Sequence, residues 1–250
     1  MNSQLELVNV KEFQENGFAG PIQFCSSSRA ELWRQEFFNV IGQSSDNPKP
    51  ANMNLSAFHH DHKWAYDICT NETILNNISA ILKSENIVLW AMHFWYKEPG
   101  NNKYIPWHQD KNYWPMEPVI NATAWVSLGV SNANNGCLRL VPGSHTQDYE
   151  HVKLDDKSAF GEGIKNVDEN NALDIEMQPG EAVFFNEGTI HGSKANTSSM
   201  ARVACSIRYT VPSVRFQIDE WTGDKERIKT FLVKGKDEYG YNDNIIGKIP

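Results

Sequence analysis

The apolar positions change their period near residue 87, and that change divides the chain. Before it, Leu32, Trp33, Phe37, Val40 and Ile41 recur at helical spacing, and Ile74, Leu75, Ile78, Ile81 and Leu82 do so again. Ser28 followed by Glu31 has the form of a capping box, and Gly42 is placed to stop the first of these helices. The stretch 44–50 reads as a loop. The N-terminal third is therefore expected to be mainly helical.

From Ile87 the pattern becomes that of strands. The run 87–97 ends at Glu98-Pro99-Gly100, and alternation puts Ala91, His93, Trp95 and Lys97 on one face, Met92, Phe94 and Tyr96 on the other. Further strands are expected at 105–109, 121–130, 137–141, 174–177, 182–186 and 201–211. Turn residues separate them, among them Pro142-Gly143, Pro179-Gly180 and Glu187-Gly188. Many short, punctuated strands predict a mainly β fold, a sandwich or jelly roll, with the N-terminal helices packed on one outer face. With no internal repeat or low-complexity linker, residues 1–250 are expected to form one domain, with its β core at about 87–212. The acidic, glycine-containing segment 146–173 falls between two strands and is expected to be a lid or insertion. The charged, amphipathic tail 213–250 yields no assignment.

Composition narrows the function. A net charge of −8 and the lack of a Lys/Arg run argue against a nucleic-acid partner. The opening residues lack the basic and apolar regions of a signal peptide, and no stretch is apolar enough to span a bilayer. Cys25, Cys69, Cys137 and Cys205 are widely spaced and form no C-x-x-C pair. They are expected to be reduced thiols in a cytoplasmic protein with no membrane partner. Oligomeric state is not legible.

The chemistry concentrates in Trp107-His108-Gln109-Asp110. In an extended segment His-x-Asp puts an imidazole and a carboxylate on the same side. His191 follows 83 positions later, between Gly188 and Gly192. If a fold joined the three, they would make a 2-His-1-carboxylate facial triad, which suits Fe(II) better than a closed structural zinc site. Taken singly, His108 reads equally well as a buried histidine bonded to Asp110, and His191 as an ordinary strand histidine. Arg202 lies inside an apolar strand, where a guanidinium is costly unless paired. Its partner is either an Asp or Glu of this chain or the carboxylate of a dicarboxylate cosubstrate. Lys111, Asn112 and Tyr113 follow the metal motif directly and are candidate substrate contacts or a solvated loop. His59-His60-Asp61-His62 reads as a solvated turn, a substrate contact through His62, or a second metal site. The aromatic group Trp95, Trp107, Tyr113, Trp114 and Trp125 is either core or substrate cage.

Taken together, these residues resemble the phytanoyl-CoA dioxygenase-like family of Fe(II)/2-oxoglutarate oxygenases. The matching stretches are Lys97-Glu98-Pro99-Gly100, Trp107-His108-Gln109-Asp110, Asn135 through His145, Pro179-Gly180-Glu181, His191-Gly192-Ser193, Arg202 and Arg208-Tyr209. The resemblance implies a double-stranded β-helix fold, with Fe(II), 2-oxoglutarate and O2 as cofactor and cosubstrates. It assigns His108, Asp110 and His191 to iron, and Arg202 with Ser193 to the far carboxylate of 2-oxoglutarate. It adds Trp125 and His93 as cosubstrate contacts, and treats His145 as structural. Chlorinating relatives replace the carboxylate ligand with a small residue; Asp110 is present here, which implies hydroxylation. Desaturation, cyclisation or epimerisation on the same cofactors, and a non-catalytic jelly-roll binding module, are the rival readings.

Overall fold

The computed structural model describes residues 6–43, 54–154, 158–159, 161–220, 225 and 228–250. The opening residues 1–5 and the loop expected at 44–50 lie outside them. The N-terminal part runs α1 Val10–Asn16, β1 Phe18–Gln23, α2 Ser27–Gln43, β2 Asn54–Ser56, α3 Phe58–Asp61, α4 Lys63–Cys69 and α5 Glu72–Leu82. The strands β1 and β2 depart from the helical expectation; each is too short to show a period of its own. The caps of α2 also differ. Ser26 Oγ, not Ser28, accepts from Arg29 N at 3.2 Å, and Glu31 pairs with Arg34 at 2.7 Å instead of closing a capping box. Gly42 does not stop this helix, which continues to Gln43. In α5, Asn71 caps the N-terminus by accepting from Thr73 and Ile74.

The remaining strands are β3 Ile87–Lys97, β4 Ile105–His108, β5 Met116–Glu117, β6 Ala122–Ser127, β7 Leu138–Leu140 and β8 Val152–Lys153. They continue as β9 Glu162–Gly163, β10 Leu173–Ile175, β11 Glu181–Asn186, β12 His191–Ser193, β13 Arg202–Thr210, β14 Arg215–Phe216 and β15 Phe231–Lys234. The larger sheet has the antiparallel order β1-β11-β6-β13-β3-β15, with β2 also on β3; the smaller has the order β10-β7-β12-β4. Between them lie Trp95, Ile105, Trp125, Leu138, Leu140, Val183, Phe185 and Ala204. On the other face of the larger sheet, Phe94, Val126, Phe184, Cys205 and Ile207 meet Phe37, Ile68, Ile74 and Ile78 of the helices. The architecture is therefore the expected jelly roll with a helical outer layer.

The strand β13 shows how this layering sorts chemistry. All nine of its residues are buried, because helices cover one face and the smaller sheet the other. Val203, Cys205, Ile207 and Tyr209 point to the helices. Period 2 then sends Arg202, Ala204, Ser206 and Arg208 to the inner face. Opposite, Arg208 and Tyr209 pair with Ala91 and Leu89, so Trp90 is the extra residue of a β-bulge. That bulge puts the Trp90 ring 5.8 Å from the Arg208 guanidinium.

The tail supplies structure the pattern did not show. The strand β15 pairs with β3 at the edge of the larger sheet, and β14 pairs with β5. Asn242 fastens this region, accepting from Phe216 N at 2.9 Å and donating to Val214 O at 2.7 Å. Within 146–173, β8 and β9 form a short hairpin, and Ile164 N donates to Trp107 O at 2.7 Å.

Candidate metal centre

Register brings the two histidines together: β12 pairs with β4 so that His191 stands opposite His108. A β-carbon on Gly192 would lie 2.9 Å from Ile105 O, so the close approach of these strands needs glycine there. β4 ends at His108, but Gln109 stays extended (φ −110°, ψ 132°), and Asp110 opens a short 3-10 helix. Asp110 therefore returns to the side of His108, as the His-x-Asp spacing predicts.

Both imidazoles are oriented in the same way. His108 Nδ1 donates to Pro106 O at 2.8 Å and His191 Nδ1 to Thr189 O at 2.9 Å. With Nδ1 committed, each Nε2 is left to face the carboxylate. His108 Nε2 lies 3.7 Å from Asp110 Oδ1, and His191 Nε2 lies 3.9 Å from Asp110 Oδ2. One donor atom from each residue falls within 4.8 Å of the others, and all three residues are buried. Burial, reinforced by His108, pushes the His191 imidazole down to about 3, leaving it neutral. Burial works to raise the Asp110 carboxyl, but Arg208 and the two histidines outweigh it and hold it well below the usual range. A carboxylate and two imidazole nitrogens, with no thiolate, fit a divalent metal with oxygen and nitrogen preferences.

Beside the triad is a small slot lined by Trp95, Ile105, Trp125, Leu138 and Ser193. Arg202, 1% exposed, lies 5.5 Å from the Trp125 ring. Ser193 Oγ, Trp125 Nε1 and Arg202 Nε and Nη1 are all buried without a hydrogen-bond partner. Orphaned donors of this kind are rare in a folded core and mark a place for an acceptor. A small anionic ligand fits that need. Lys97, which had no site role in the sequence reading, pairs in register with Arg202 and is 1% exposed. Burial, then Arg202, pushes its ammonium down to about 6, and its Nζ donates to Lys194 O. Its signal in the sequence was its place on the inward face of β3.

The other candidates are distributed differently. His93 lies outside the slot; its Nδ1 accepts from Arg208 Nη1 at 2.9 Å. Tyr113 sits edge-on to His108, with ring centroids 6.3 Å apart. Lys111 pairs with Asp148, and Asn112 bonds His151 at 2.8 Å, so both face the segment after His145. Gln109 ties that segment to the metal motif, donating to Gln147 O and Gly188 O and accepting from Tyr149 N. His62 packs between Phe58 and Trp64 in the helical layer, away from the triad. His59 and His60 are not in a solvated turn: they lie within the short helix α3, and His59 is fully buried against Phe231. His145 Nε2 bonds Gln14 O and is not a ligand. Arg208 entered the sequence reading only as part of a matching stretch, yet its Nη2 lies 3.5 Å from Asp110 Oδ2.

The same fold is met in known proteins. The bovine peroxisomal phytanoyl-CoA dioxygenase is 26% identical over 97% of this chain and 79% of its own length. The non-haem monooxygenase ThoJ superposes with a TM-score of 0.79 at 22% identity, covering 96% of this chain and 88% of its own. CytC3, solved with Fe(II) and alpha-ketoglutarate, gives 0.71 at 21% identity over 95% of this chain and 91% of that one. The family described as Phytanoyl-CoA dioxygenase (PhyH) matches residues 13–204, a span that holds all three triad residues and the arginine of the slot. By that match, the chain belongs to the phytanoyl-CoA dioxygenase family.

Proposed function

We propose that this protein is an Fe(II)/2-oxoglutarate-dependent hydroxylase of a small organic molecule. One observation carries the reading: three converging donors of a facial triad lie directly beside a slot whose own donors have no acceptor. His108, Asp110 and His191 would hold Fe(II). Arg202, Ser193 and Lys97 would hold the far carboxylate of 2-oxoglutarate, and Trp95 and Trp125 would wall its chain from water. Bound iron and 2-oxoglutarate supply oxidative decarboxylation coupled to oxidation of a substrate carbon, with succinate and CO2 as co-products.

The side chains of this protein set the conditions for that chemistry. The guanidinium of Arg202 stays charged in a dry pocket. Burial lowers it only to about 10. Asp110 is kept ionised, and each histidine is turned by a carbonyl so that Nε2 faces inward. The segment anchored by Gln109 serves as a lid root, and Lys111, Asn112 and Tyr113 face the substrate at its edge. Together these groups fix the oxidant and exclude solvent.

The deciding experiment is a screen of amino acids, amino-phosphonates and natural-product intermediates, following succinate release and oxygen incorporation by mass spectrometry. Hydroxylated product with succinate supports the reading, and Asp110→Ala should abolish it. A product two hydrogens lighter with no added oxygen would instead indicate desaturation or ring closure. A protein that binds neither Fe(II) nor 2-oxoglutarate would be a binding module.

A further inference from the structure

We infer that Arg208 is a positioning residue that keeps Asp110 a one-oxygen ligand and so preserves an open coordination position. The inference rests on the proposed function, because it concerns how the triad meets its metal. Arg208 is 8% exposed and sits on the inner face of β13, six residues beyond Arg202. Its guanidinium is held at both terminal nitrogens and on its faces, while Nε is buried without a hydrogen-bond partner. Trp90 and Trp114 lie 5.8 and 5.1 Å from it, Nη1 donates to His93 Nδ1 at 2.9 Å, and Nη2 reaches Asp110 Oδ2 at 3.5 Å.

The supports are themselves fixed. The Trp90 indole donates to Asn121 Oδ1 at 2.8 Å, and Asn121 Nδ2 donates to Thr123 Oγ1 at 3.2 Å. The bulge in β3 exists at Trp90, where it aims that ring at Arg208. A run of contacts therefore links Thr123, Asn121, Trp90, Arg208 and Asp110. Its end is asymmetric: the guanidinium reaches Oδ2, the oxygen that also faces His191, and Oδ1 faces His108.

That asymmetry matters to the chemistry. A metal with six positions and three single-atom protein ligands has three left, enough for a chelating cosubstrate and O2. A carboxylate that swings to chelate through both oxygens removes one of them. By occupying Oδ2, Arg208 opposes the swing. Lysine has charge but no fork, and cannot reach His93 and Asp110 together.

The test uses Arg208→Gln and Arg208→Lys beside the unaltered protein, with Co(II) alone as the metal probe. Folding of each is first checked by circular dichroism and thermal unfolding. Calorimetry then gives Co(II) affinity, and visible absorption reports coordination number, since Co(II) bands weaken as ligands are added. A 2-oxoglutarate titration of the Co(II) form follows. In Arg208→Gln, Co(II) affinity should change by about tenfold to a hundredfold, as is typical when a partner of a metal ligand is removed. The bands should weaken and 2-oxoglutarate affinity should drop. Arg208→Lys should restore part of the metal affinity and little of the 2-oxoglutarate affinity. A folded Arg208→Gln protein with unaltered Co(II) bands and unaltered 2-oxoglutarate binding overturns the inference. If the unaltered protein binds no Co(II), it is the proposed function that fails.

Discussion

Two arginines on one face of β13 have opposite surroundings. Arg202 lies against Trp125 with Nε and Nη1 unpartnered, and the residue opposite it on β3 is the buried Lys97, not a carboxylate. Arg208 bonds His93, faces the Asp110 carboxylate and packs on two tryptophans. A cation buried without an anion is strongly destabilising. On the proposed function, the first arginine would be a receptor whose anion comes from outside, and the second is part of the framework. Identical residue type and strand face thus carry different roles, set by what the neighbouring strands bring.

The largest expected effect separates them by stability. In the metal-free protein, Arg208→Met should cost about 3–5 kcal/mol, because it leaves the Asp110 carboxylate buried without its cation. Arg202→Met should be neutral or stabilising, because it removes an unpaired charge. Denaturant unfolding of both reads the difference, and equal costs would break the comparison. Ligand linkage comes next. With metal present, 2-oxoglutarate at about a hundred times its Kd should stabilise the unaltered protein by about 2.7 kcal/mol. Arg202→Met should lose that increment in the same denaturant unfolding experiment.

A smaller effect concerns pH. Lys97 sits at about 6 in the folded protein against 10.5 as a free side chain. Between those values the folded state binds fewer protons than the unfolded one. Stability from this group therefore rises with pH across the window and is lost as pH falls through it. A bound carboxylate would return the proton to Lys97. Affinity for 2-oxoglutarate should then be flat below about 6 and fall by up to about tenfold per pH unit above it. Calorimetry in buffers of different ionisation heat would show proton uptake near neutrality, and Lys97→Met should abolish it. The smallest effect is that of Ser193→Ala, which removes one neutral donor from the slot. About 1 kcal/mol, a several-fold loss of 2-oxoglutarate affinity, is expected in the same calorimeter.

Much of this was legible before any coordinates. The run 87–97 showed its two faces by alternation, and the structure sends Phe94 to the helices and Trp95 to the inter-sheet core. The spacing of His108 and Asp110 is local, so the side they share follows from an extended backbone. The elements that escaped were short or of mixed pattern: β1, β2 and β15 are defined by partners at a sheet edge. The histidine-rich stretch misled for a related reason. Its polarity suggested solvent, but Phe231, from the far end of the chain, covers His59.

The sequence by itself determined which side chains shared a strand face and which stretches could hold a metal, because period 2 and turn chemistry act over a few residues. Tertiary structure decided the rest. Only the register of β12 on β4 sets His191 opposite His108, and only β3 against β13 puts Lys97 beside Arg202 and the bulged Trp90 beside Arg208. Those pairings join residues far apart in the chain. Register between distant strands is fixed by the packing of a whole core, and no local pattern encodes it.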